Sequence, residues 1–297
     1  MSNFKNYVNM FEFETELPGN GEKVIFKPVT TGQLKRLLLY ETSQDSDSIE
    51  NALDEMISEC VVFPKDFNIK NLYLQDRFFL LVDIRKATRG TSYDFQTTCA
   101  SCSSQSQQFI DITKLTVKKL NKKPVVVEPV KEKVEEKKQK SKSKIVEVSD
   151  EPQVETKVDP AKKVLDYSEW DIVKLNDNIS VRLSIVTRNM QSSAFDFFMK
   201  KHKADKEKIT DNMKAVELST LIQAMSIVSI ITPEGEETGL PLEDRVFLLD
   251  NISQTELEKI TKWYDDNDFG IDFSFDIKCP QCGFTEKKAV PVENFFY

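Results

Sequence analysis

Histidine is nearly absent from this chain: 297 residues include only one, His202. That removes the metal motifs built on histidine. Glycine is scarce as well, eight in all, and the chain shows no glycine-rich phosphate loop and no nucleophile elbow. So few glycines also leave little room for the long mobile loops from which many active sites are built. An enzyme is not expected, nor a small-molecule substrate. No apolar run approaches the ~20 residues that a membrane span needs. Glu12, Glu14 and Glu16, close behind the amino terminus, leave no signal-peptide pattern, so the protein is expected in the cytoplasm. Clustered positive charge is missing too. The net charge is −8 and the basic residues are spread without aromatic interleaving, which argues against a general affinity for nucleic acid, whose phosphates reward clustered cations.

Against these absences stand five cysteines, four of them in two Cys-x-x-Cys steps: Cys99-Ala100-Ser101-Cys102 and Cys279-Pro280-Gln281-Cys282. The two keep register. Gly90 lies nine residues before Cys99, and Gly270 nine before Cys279. Between them Tyr93, Phe95 and Thr97 answer to Phe273, Phe275 and Ile277, alternating with polar residues as in half-buried strands. A second anchor pairs the stretch Leu72-Tyr73-Leu74-Gln75-Asp76-Arg77 with Leu240-Pro241-Leu242-Glu243-Asp244-Arg245. A weaker third pairs Val24–Thr30 with Val181–Thr187. From Arg77 to Gly90 is 13 residues and from Arg245 to Gly270 is 25, so the second half carries about one extra helix, begun by the capping-box sequence Ser253-Gln254-Thr255-Glu256.

The reading is an α+β chain of two related halves, residues 1–120 and 164–297, each a helical cluster with a small β-hairpin zinc knuckle. Residues 121–163 divide them, with 12 lysines, 9 acidic residues, no aromatic and no glycine in 43 positions. Such a stretch buries too little apolar surface to offset its ordering entropy, so it is expected to be a disordered linker. In the first half the pattern predicts a strand over 23–29, helices over 31–41, from about 47 to Cys60, and over 72–87, then the first hairpin. In the second it predicts a strand over 179–185, helices over 189–201, 213–230, 242–249 and 254–264, and a hairpin over 271–292. Cys60 is expected to be a buried core thiol. His202, among Lys200, Lys201 and Lys203, is expected to be exposed. The Asp76-Arg77 and Asp244-Arg245 pairs read as ion pairs or cap contacts.

A lone two-stranded hairpin is marginal in water, so something must hold each tip. Two thiols two residues apart can bind one tetrahedral zinc. Pro280 and Gly283 give the second step the form of a zinc knuckle, whereas Ser103 stands where the first would have glycine. One knuckle supplies two ligands, so the simplest complete site is Cys99, Cys102, Cys279 and Cys282 around a single structural zinc. The alternatives are that each knuckle binds metal together with a partner molecule, that the hairpins kept their shape and lost the metal, or that Cys-Pro-x-Cys serves thiol–disulfide chemistry.

The order of the motifs resembles a known family. Leu17-Pro18-Gly19-Asn20-Gly21, the strand through Phe26-Lys27-Pro28, and Thr30-Thr31-Gly32-Gln33-Leu34-Lys35 are similar to the opening of T4-type bacteriophage baseplate proteins of the hub. An acidic helix ending near Cys60, the Asp76-Arg77 helix, Arg85 to Gly90 and a Cys-x-x-Cys hairpin follow in the same order, and Cys279–Gly283 with Val290–Phe296 is similar to the family's close. The resemblance implies a non-enzymatic virion or assembly protein of a contractile tail, with other baseplate hub and tail proteins as partners. It implies the host cytoplasm as the place of assembly and the virion tail baseplate as the destination. The competing reading is a zinc-ribbon adaptor that binds nucleic acid or the host transcription machinery.

Overall fold

The computed structural model describes residues 11–41, 46–120, 171–203, 210–289 and 295–296. The linker expected over 121–163 lies outside the described residues, as do 290–292 at the end of the expected second hairpin. The fold mixes helix and sheet, in keeping with α+β.

In the first half, β1 (Phe13–Glu16) and β2 (Lys23–Phe26) form a hairpin, followed by α1 (Thr31–Glu41), α2 (Ser46–Cys60) and β3 (Val61–Phe63), which returns to pair with β2. Then come α3 (Leu74–Arg89), a hairpin of β4 (Ser92–Thr98) and β5 (Gln105–Asp111), and the short β6 (Thr116–Lys118). Beyond the charged segment, β7 (Ile172–Lys174), β8 (Ser180–Leu183), α4 (Arg188–Lys201), α5 (Asp211–Ser226) and β9 (Ile227–Thr232) repeat the first order of elements, with β10 (Gly235–Thr238) added outside β9. The chain closes with α6 (Leu242–Asn251), α7 (Gln254–Asp266), β11 (Gly270–Asp272) and the hairpin of β12 (Ser274–Lys278) and β13 (Thr285–Ala289).

The parallels extend to single hydrogen bonds. Irregular register falls between Ile25 and Phe26 on β2 and between Arg182 and Leu183 on β8. Directly after each, a backbone N–H reaches the last carbonyl of the second helix: Lys27 to Cys60 at 2.9 Å, Ser184 to Ser226 at 2.9 Å. Thr30 and Thr187 each accept at the start of the first helix, from the N–H of Gln33 at 3.3 Å and of Met190 at 3.4 Å, the capping that Thr supplies well. Tyr73 and Pro241 precede α3 and α6 in the same extended conformation, with φ and ψ of −60° and 148° against −54° and 153°.

Two differences from the expected elements have plain causes. The helix expected over 213–230 stops at Ser226. Ile227, Val228, Ile230 and Ile231 are β-branched, and they pair as β9 with β8 instead. His202 is not exposed: it is half-buried, its ring 4.6 Å from that of Phe198 and its Nε2 2.8 Å from Glu217 Oε2. Local sequence showed only its lysine neighbours.

The described residues fall in one compact unit with two apolar clusters. The first gathers Val24, Phe26, Ile57, Leu80 and Ile84 from the first half, together with Tyr93 and Phe95 of the first hairpin. Ile277, Phe295 and Phe296, from the other end of the chain, also belong to it. The second gathers Val181, Leu183, Phe198, Leu221, Ile227, Ile260 and Trp263. Packing therefore changes sides between Tyr264 and Ile271, so the second hairpin lies with the first half. β11 seals this by pairing with β6, Gly270 opposite Lys118.

Buried charge crosses between the halves. Asp54 on α2 accepts from Arg77 Nε at 2.5 Å and from Arg188 Nε at 2.6 Å, and the three residues are 8%, 8% and 3% exposed. Arg77 also pairs with Glu50 at 2.8 Å. One carboxylate thus joins α2, α3 and α4. The Asp76 and Asp244 counterparts diverge. Asp76 is wholly buried and accepts from the Gly19 N–H at 2.7 Å, while Asp244 is exposed. A Cβ on Gly19 would stand 2.5 Å from Asp76 Oδ2 and from the Phe269 ring, so glycine is required at that turn.

Candidate metal centre

The tips of the two hairpins meet. In each, the first cysteine donates its N–H across the turn, Cys99 to Ser104 O at 2.9 Å and Cys279 to Phe284 O at 2.8 Å. In each, the fifth position returns an N–H to the first cysteine's carbonyl, from Ser103 at 2.9 Å and from Gly283 at 3.0 Å. That fifth residue has positive φ in both, 57° at Ser103 and 74° at Gly283. Glycine adopts this conformation freely and serine at a cost. The missing glycine of the first knuckle has therefore been replaced without a change of shape. Cys99 and Cys279 are buried, Cys102 and Cys282 exposed, again in step.

All four sulfurs lie within 4.8 Å of one another. The nearest pairs run between hairpins, Cys99 to Cys282 and Cys102 to Cys279, each at 3.7 Å. Four thiolates at ~2.3 Å from one tetrahedral zinc would stand about 3.8 Å apart. The separations fit one ion shared by both hairpins and are far longer than a disulfide's ~2.05 Å. The cluster could hold a metal ion. Thiol–disulfide catalysis finds no support in the setting, because Phe284 leads into β13 and not into a helix whose amino terminus could activate a thiolate.

Ser104, which no local motif singles out, sits between the pairs. Its Oγ is 3.1 Å from Cys102 Sγ and 3.3 Å from Cys279 Sγ. Its hydrogen bond, aided by the backbone N–H groups of Cys282 and Gln281, pulls the Cys279 thiol down to about 6, and Ser104 lowers Cys102 as well. The Ser101 N–H adds a contact to Cys99 Sγ at 3.4 Å. These donors favour thiolate, the form that binds metal, at Cys279 and Cys102, whereas, against the pull of the Phe284 N–H, desolvation and the three neighbouring sulfurs push Cys282 up to about 11. Cys60 is far otherwise. Burial on α2 pushes it up to about 12, as befits a core thiol.

Contacts below the tips hold the hairpins side by side. Glu286 Oε1 accepts from the Ala100 N–H at 3.2 Å and pairs with Lys288 at 3.0 Å, while Lys288 reaches Thr97 Oγ1 at 3.2 Å. At the base, Arg85 donates from Nε to Phe295 O at 3.2 Å and from Nη2 to Ser92 O at 2.8 Å, and lies 5.5 Å over both the Tyr93 and Phe295 rings. Sequence spacing recorded Arg85 only as part of a motif. Its partners lie as far off as Phe295, beyond any local signal.

Residues 10–140 match the family model for the T4 bacteriophage base plate protein. That region is similar to the T4-type baseplate family. No curated protein and no solved structure matches the chain. The baseplate match contains the first knuckle and ends before the second, so half of the sulfur cluster lies outside the matched residues. No helix among the described residues is long and apolar enough to cross a membrane.

Proposed function

We propose that the chain is a structural or assembly protein of the baseplate hub of a contractile-tailed phage. Its two related halves, 1–120 and 164–297, are stapled by one structural zinc on Cys99, Cys102, Cys279 and Cys282, and 121–163 links them. The observation that carries this reading is the meeting of two knuckles from opposite ends of the chain at 3.7 Å across the hairpins, within a chain whose residues 10–140 match the baseplate family. Zinc bound there would supply no chemistry to a substrate. It would fix the hairpin tips, while Arg85 and the buried Phe295 and Phe296 fix their bases. The protein assembles in the host cytoplasm with other hub and tail proteins and then belongs to the tail baseplate.

The zinc-ribbon adaptor reading has little to stand on. Of the three cations near the second knuckle, Lys287 is paired with Asp272 and Lys288 with Glu286, which leaves the exposed Lys278, and the first knuckle is flanked by Gln105, Ser106, Gln107 and Gln108. Phosphate recognition needs cations that are available. Mass spectrometry of purified virions alongside assembly intermediates tests the assignment. The chain is expected in hub-containing intermediates or in the finished baseplate. Absence from both contradicts it.

A further inference from the structure

Where α3 meets α4, one half docks on the other. The Leu74 N–H donates to Val186 O at 3.1 Å and the Arg188 N–H to Leu72 O at 2.9 Å, with Tyr73 opposite Thr187. Beside this bridge, Arg188 reaches Asp54 at 2.6 Å, Asn51 at 3.3 Å and Gln191 at 3.3 Å. The joint is polar on both sides.

The repeated elements contain a counterpart of each group in this joint. Leu240–Leu242 precedes α6 as Leu72–Leu74 precedes α3, and Val29–Thr31 precedes α1 as Val186–Arg188 precedes α4. Counting back from the matching helix ends at Cys60 and Ser226, Val216 and Thr220 on α5 take the places of Glu50 and Asp54 on α2. Counting forward from Thr31 and Arg188, Leu34 on α1 takes the place of Gln191 on α4. Several of these counterparts are uncovered, although Leu242 is buried and Leu34 and Thr220 are half-buried. Thr30 and Thr31 are exposed where Arg188 is buried. Val216 is 69% exposed, Leu38 44%, and Phe247 is 68% exposed where its counterpart Phe79 is 8%. Leu242 and Thr31 also carry the first N–H of their helices, which no carbonyl of the same helix can reach.

The chemistry has changed on both faces together. Where one joint sets Asp54 and Asn51 against Arg188 and Gln191, the second set places Thr220 and Glu217 opposite Thr31 and Leu34, with the exposed Val216 and Leu38 beside them. Glu217 is held within its own chain by Lys201 and His202. We propose that two copies of this chain join head to tail, resting on the repeat proposed above: the α5–α6 face around Val216 and Leu240–Leu242 of one copy seats on the α1 face around Thr31 and Leu38 of the next. Such a contact is heterologous, so further copies extend it into a ring or a row, and its apolar centre is of the kind that carries binding energy in protein interfaces.

Sedimentation velocity of the full, metal-loaded chain over a range of concentrations tests this, with Val216→Asp and Leu38→Asp as probes. Both side chains are exposed, so each variant should fold, and circular dichroism checks that it does. The native chain should exceed monomer mass as concentration rises, and each variant alone should stay monomeric. An equal mixture should give a dimer of one copy of each and nothing larger, since each variant keeps one intact face. A native chain that is monomeric at every concentration, a single variant that still associates, or a mixture that remains monomeric would overturn the proposal. Zinc content of the same samples is an independent readout: a monomer with one zinc per chain would remove the joint and leave the staple standing.

Discussion

Asp76 should make the protein lose stability as pH rises from about 4 to about 6. Burial pushes its carboxyl up to about 6 from the ordinary 3.8, against the backbone N–H groups of Gly19 and Asn20 that pull it down, with Glu22 adding to the rise. Its Oδ2 is buried without a hydrogen-bond partner. Between the two values the folded chain holds a proton that the unfolded chain has released, so stability falls through that window and is level above it. A difference of about 2 units at 1.36 kcal/mol each comes to about 3 kcal/mol. Asp76→Asn cannot ionise, and its Oδ1 can still accept from Gly19. At pH 7 the variant should gain up to about 3 kcal/mol, less the roughly 1–3 kcal/mol for a buried amide N–H that finds no acceptor. The sharper readout is the slope. Urea unfolding of parent and variant from pH 4 to pH 7 should give curves that converge towards pH 4 and part by pH 6. Loss of metal in acid affects both chains alike, so the difference between the curves isolates Asp76. Parallel curves across the window would refute this assignment.

Two further substitutions probe the joint and the knuckle. Asp54→Ala leaves Arg77 and Arg188 buried without their shared carboxylate and should cost about 3–5 kcal/mol in urea unfolding; a loss under about 1 kcal/mol would mean that water or Glu50 replaces it. Ser103→Gly relieves a positive φ that its counterpart Gly283 adopts without strain, and should raise stability by up to about 1 kcal/mol. A lower melting temperature for that variant would show that the serine side chain contributes more than its backbone costs.

Features governed by neighbouring residues were legible in the sequence. The span of α1, the Ser253 capping box with Glu256, and the alternation that buries Tyr93 and Phe95 all follow from local spacing. The two knuckles could be matched because their register relative to Gly90 and Gly270 is preserved. Features set by distant partners were not legible. Arg188 reads as an ordinary first-turn residue until Asp54, 134 positions away, is placed against it. The second hairpin's docking on the first half depends on Phe295, Phe296 and the pairing of β11 with β6, none of which has a periodic signature. The end of α5 was misplaced because Ile227 to Ile231 continues the apolar character of the helix, and only the waiting edge of β8 makes it a strand. Ser104 was overlooked because a serine near cysteine has meaning only once two sulfurs are seen on either side of it.

Elemental analysis of the full chain, purified under reducing conditions without chelator, tests the central claim most directly. One zinc per chain is expected, because four thiolates from two hairpins complete one tetrahedral site. The Cys279→Ser/Cys282→Ser double variant should contain none. A native chain without zinc, or with two zinc ions per chain, would contradict a single staple between the hairpins.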